Sequence, residues 1–173
     1  MIVDLARKLE VGLGYLARLF YGLAAFGLIL IVAIIVASVV MRRVADSPLY
    51  YTEELVGLLL SSTLFLALPM ETKKADHVRV VFLLSYLSER GRAILAVCAG
   101  AVMLAFCGWF LVEAIPWLEF AVTRGIKSEA ASLRLAPWMA VPPVSIAVCG
   151  LLVLTRVITG SEEASFGSDR IEA

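Results

Sequence analysis

Charged residues are spread along this chain except in four long gaps, at residues 19–41, 55–70, 93–112 and 135–155. A helix climbs about 1.5 Å per residue, so a hydrocarbon layer about 30 Å thick takes roughly 20 apolar residues to cross. Each gap is near that length. The pattern predicts an all-α membrane protein of four transmembrane helices, with spans at about 19–41, 52–70, 93–113 and 136–157 and short interfacial helices between them. Apolar residue types make up 61% of the 173 residues, above the roughly 45–50% of soluble domains, and a soluble fold of this size could not bury them. The first gap is too long for the core of a cleavable signal peptide, and no clear cleavage site follows it, so it reads as an uncleaved anchor.

The polar segments predict the rest of the layout. Residues 1–18 place Ile2, Leu5, Leu9 and Leu16 among Arg7, Lys8 and Glu10 at mostly helical spacing, which fits a short helix on the membrane surface or an ordinary charged tail. Asp76 can cap an arm helix over about 76–90 that ends at Gly91. That arm carries Val80, Val81, Phe82, Leu83 and Leu84 and shows no clean polar face. Either docking on a partner or packing beneath its own bundle satisfies it. The third connection, 113–134, mixes Trp117 and Phe120 with charges and is expected at the outer surface, and residues 159–173 form a polar tail. Pro137 suits a helix start, while Pro142 and Pro143 predict a kink or a late start in the fourth span.

Charge adds an orientation. Fifteen basic residues balance fifteen acidic ones, which argues against nucleic acid as a partner. The basic residues concentrate in the amino tail, the carboxyl tail and the second connection, where Lys73, Lys74, Arg79, Arg90 and Arg92 lie. By the positive-inside rule those segments are cytoplasmic, as are both termini. Tyr50, Tyr51, Trp109, Trp117 and Trp138 then fall at or beyond the outer ends of the spans, where amphipathic rings settle.

Candidate chemistry is sparse. A haem-binding bundle needs axial ligands, and the one histidine, His77, is in a connection. Cys98, Cys107 and Cys149 are isolated in apolar stretches, where cysteine packs as a small hydrophobe. No histidine or lysine accompanies a serine within a gap, as an intramembrane protease would require. Ion-coupled carriers keep ionisable groups in the membrane interior, and the four gaps contain none. We therefore expect no enzyme activity, cofactor or metal, and an accessory or scaffolding role within the lipid bilayer. Glu53 and Glu54, at the start of the second span, read either as acids favoured by a helix amino terminus or, for Glu54, as the partner of a basic group on another subunit. The pairs Gly57 with Ser61 and Ala96 with Gly100 have the spacing that allows close helix approach.

In order along the chain stand the acidic start of span two (Glu53, Glu54), the group His77, Val78, Arg79 and Val80, and then Ser132, Arg134, Pro137 and Trp138 before a proline-bearing fourth span. This order, over about residues 15–160, resembles the small four-helix membrane subunit of tripartite ATP-independent periplasmic (TRAP) transporters. The resemblance implies a non-catalytic subunit of the bacterial inner membrane. Its partners would be a large transport subunit, which carries the substrate and sodium sites, and a periplasmic substrate-binding protein that delivers an organic acid. It makes Glu53, Glu54, His77, Arg79, Arg134, Pro137 and Trp138 the candidates for subunit contact. The alternatives are a membrane anchor of another complex, such as an oxidoreductase, and a self-contained small transporter.

Overall fold

The computed structural model describes residues 2–44, 50–74, 89–129 and 131–159, and among these the chain forms four helices and no strand. They are α1 (Ile2–Val44), α2 (Thr52–Lys74), α3 (Glu89–Arg124) and α4 (Ala136–Thr159). Each holds a segment long and apolar enough to cross a bilayer, so the all-helical, four-span architecture read from the charge gaps is the one observed. Residues 75–88, most of the expected arm, and the tail after 159 lie outside the described residues.

Two helices are longer than their uncharged stretches. The segment before residue 19, expected to form a short surface helix or an ordinary charged tail, is the first part of α1, which runs 43 residues without a break. No proline precedes Pro48, so nothing removes a backbone donor along that length. Likewise α3 does not stop near 113. It continues to Arg124, through Glu113, Glu119 and the internal Pro116, and ends at Gly125, whose φ is +57°. The fourth span starts at Ala136, so Pro142 and Pro143 fall inside the helix and do not delay its start.

Packing is centred on α4, which touches α1, α2 and α3. Of its most apolar window 44% is buried, against 11% for α3, whose main neighbour is α4. In one cluster Ala17, Val148 and Leu152 join Leu13, Phe20 and Met70, linking α1, α2 and α4. A second brings Cys107 of α3 to Ile146 and Cys149 of α4, with Phe65 and Leu68 of α2 beside them. Between helices in lipid there is little hydrophobic gain, so close fit does the holding. Gly27 supplies it between α1 and α2, since a Cβ there would collide with the Thr63 methyl. Gly57 and Ser61, by contrast, are both exposed and Gly57 has no atom near enough to meet a Cβ, so this expected contact pair does not join helices within the chain.

Vertical register follows from side-chain contacts. Thr52 donates to Ser38 at 3.2 Å, Gly27 faces Thr63, the Phe65 and Phe110 rings are 5.8 Å apart, and Thr72 reaches Cys149 at 3.5 Å. With these pairings the uncharged stretches of α1 and α2 lie side by side, and that of α4 is displaced by roughly 8 Å toward the Lys74 end of α2. That of α3 is displaced by roughly 15 Å toward the Lys74 end of α2. Trp109, expected at the outer end of its span, therefore stands near the middle of the uncharged stretches of α2 and α4.

Polar groups inside the bundle are satisfied locally. The hydroxyls of Ser62, Thr63, Thr72 and Thr155 donate to the carbonyls of Leu58, Leu60, Leu68 and Leu152 of their own helices at 2.9–3.0 Å. Arg156, in the last turn of α4, donates to the Thr72 carbonyl at 2.8 Å, meeting one of the acceptors that the end of α2 leaves without an intrahelical donor. Ser145 is the exception in the spans: its hydroxyl is fully buried and has no hydrogen-bond partner among the described residues.

Replacing Gly27 by leucine is expected to destabilise the chain by ~1–3 kcal/mol, read as a lower melting midpoint in detergent. Thr63→Ser removes the opposing methyl and should return part of that loss. Additive losses in the double variant would show that the two positions do not meet.

Candidate subunit-contact surface and the loop that shapes it

The short, highly shaped connection from α3 to α4 carries Arg134 of the seven candidate contact residues, and the first turn of α4 carries Pro137 and Trp138. Gly125 adopts the left-handed conformation just past α3, and the Ile126 amide donates back to the Ala121 carbonyl at 3.3 Å. This six-to-one bond is the Schellman arrangement that ends a helix by turning the chain back on itself. A small antiparallel bridge then pairs Lys127 with Arg134. Its bonds run from the Ser128 amide to the Leu133 carbonyl at 2.8 Å and from the Leu135 amide to the Ile126 carbonyl at 3.0 Å. Between them Ser132 has φ 52°, a conformation sparsely used outside glycine, asparagine and aspartate.

Glu54 fastens this hairpin to α2. One carboxylate oxygen accepts the Glu129 amide and the other accepts the Ala131 amide, both at 3.0 Å. Bonds from neutral amides to a carboxylate are stronger than neutral pairs. The structure thus gives Glu54 an employment inside its own chain, where the sequence pointed to a helix-end acid or to pairing with a base on another subunit. Glu53, its neighbour, is exposed. Both acids also sit in the first turn of α2, where the helix dipole favours negative charge.

The Ser-x-Arg-x-x-Pro-Trp order now has a structural reading. Ser132 makes the turn, Arg134 occupies the bridge, and Pro137 is the second residue of α4. The first α4 bond from a residue to the fourth before it runs from the Met139 amide to the Leu135 carbonyl at 3.0 Å, so the donor that Pro137 lacks had no intrahelical acceptor to meet. Trp138 is half-buried, Pro137 exposed. Lys127 and Arg134 are both exposed, opposed across the bridge, with no ion pair to any described residue. Ser128 is buried with its hydroxyl unpaired among the described residues. Glu54 and Arg134 therefore belong to one feature at the start of α2 and α4; His77 and Arg79 lie outside the described residues.

A sequence profile of the family described as "Tripartite ATP-independent periplasmic transporters, DctQ component" matches residues 31–163. The chain belongs to this family. It is the small membrane component of a TRAP transporter, a multi-pass protein whose family supplies a transporter part. No curated protein matches it. No solved structure matches it. The profile spans the hairpin and Glu54 as well as all of α2, α3 and α4. The hairpin's shape had only one sequence signal, a lone glycine at the end of a helical run. Its attachment to a residue 75 positions earlier had none.

Glu54→Ala should release the hairpin, since each bond to a charged acceptor contributes roughly 1.5–3 kcal/mol. Hydrogen exchange over residues 126–135 should then rise at the Glu129 and Ala131 amides. Glu54→Gln keeps one carbonyl acceptor and should protect one of the two. Unchanged exchange in Glu54→Ala would show that the carboxylate does not hold the loop.

Proposed function

We propose that this DctQ component is a non-catalytic scaffold. It assembles with the large TRAP membrane subunit for sodium-coupled, binding-protein-dependent uptake of an organic acid across the bacterial inner membrane. The observation that carries the reading is the family match over residues 31–163 on a four-span chain. The packing supports it: α4 is the most buried of the four helices, while α1 and α3 present long apolar faces outward, including Phe26, Ile29, Val32, Val102 and Trp109. In this reading both termini are cytoplasmic and the Glu54 hairpin is periplasmic. Glu53, Arg134, Pro137 and Trp138 then lie on the side where a substrate-binding protein arrives, with His77 and Arg79 on the other.

Co-expression with a tagged large subunit tests this directly. The chain is expected to co-purify in mild detergent, and proteoliposomes are expected to take up substrate only when both membrane subunits and the binding protein are present. Uptake by this chain alone would overturn the scaffold reading. Substituting Arg79 should weaken assembly more than it alters which organic acid is carried, as measured by competition during uptake.

A further inference from the structure

The register of α3 places a carboxylate where the charge gaps showed none. Phe110 stacks beside Phe65 with ring centroids 5.8 Å apart, and Glu113 is one turn farther along α3, level with Ser62 of α2. Ser62 lies seven residues, or about 10 Å, inside the uncharged stretch of α2 that begins at Leu55. The uncharged stretch of α1 flanks the same level, and that of α4 begins about 6 Å before it. Glu113 is nonetheless exposed, and no hydrogen bond or ion pair joins it to another described residue.

Its surroundings on the helix surface are aromatic. At 3.6 residues per turn Phe106, Trp109, Glu113, Trp117 and Phe120 fall within an arc of about 80°, and all five are exposed. The face that α3 turns to the bundle is a different one, marked by Gly100, Cys107 and Ala121. Lipid can cover the rings. It offers nothing to a carboxylate at that depth, where ionisable side chains are retained when they face protein or water and find a partner.

We propose that this face of α3 docks against the large membrane-spanning subunit, and that Glu113 pairs there with a basic side chain which that subunit carries at mid-bilayer depth. The proposal rests on the assembly reading above and names the helix that makes the contact. Charge complementarity selects the occupant, because a second copy of this chain would set Glu113 against the same acidic, aromatic face, and a soluble protein does not reach that depth.

The test uses the co-expressed complex with the large subunit tagged. Glu113→Lys is expected to lower the amount of this chain recovered with the tag by roughly tenfold or more. Glu113→Gln should have a smaller effect in the same direction, while the melting midpoint of the isolated chain stays unchanged in both. A benzophenone amino acid replacing Trp109 should cross-link to the large subunit on illumination. Undiminished recovery of Glu113→Lys together with no cross-link from position 109 would overturn the docking face, while recovery of the unsubstituted chain would leave the assembly reading standing. A cross-link only to a second copy of this chain, or loss of uptake in Glu113→Gln with assembly intact, would also overturn it. Failure of the unsubstituted chain to co-purify would remove the assembly reading and this inference together.

Discussion

Water is absent from the middle of a bilayer, and the rest of this structure depends on that constraint. Every backbone donor and acceptor at that depth must find its partner within the chain, which leaves helices as the open choice for a four-span protein. The same rule governs the side chains. Ser62, Thr63, Thr72 and Thr155 turn their hydroxyls onto carbonyls of their own helices, so they add no unmet polarity to the faces they occupy. Where a helix ends, the rule reappears in another form: Arg156 reaches across to a carbonyl at the end of α2, and Gly125 turns the chain so that an amide can serve the end of α3.

At the opposite end of α2 from Arg156, a charge holds backbone. Glu54 grips two amides of the α3–α4 hairpin, so the start of α2 and the start of α4 are fixed to each other through a loop that belongs to neither. The hairpin in turn sets out Lys127 and Arg134 side by side and exposed. A rigid display of two like charges is mildly unfavourable in isolation, and it suits a part whose work is done in contact with something else.

How much of this was legible in the sequence varied with the kind of physical signal. The four spans were legible because exclusion of charge over about 20 residues is a strong, local mark. The end of α3 was not, because Glu113 and Glu119 look the same in sequence whether they stand on a helix or in a surface loop. That misreading also hid a carboxylate at span depth, since the depth of Glu113 is set by the meeting of Phe110 with Phe65 on another helix. The hold of Glu54 on the hairpin was not legible either, its partners being backbone amides that nearly every residue type supplies. Gly57 and Ser61 had the right spacing and the wrong face; Gly27, which does meet α2, has no small partner at that spacing to announce it.

The place of α4 has a consequence for the order in which the molecule comes together. Chains are made from the amino end, so α1, α2 and α3 enter the membrane before the helix they share. α1 and α2 can meet at once through Gly27 and Thr63, but α3 has its principal neighbour still unmade. Until α4 arrives, α3 has little more than the meeting of Phe110 with Phe65 of α2 to place it, and the turn at Gly125 is its tether to the helix that will seat it. Completion of α4 is thus the step at which the three earlier helices close into one packed bundle.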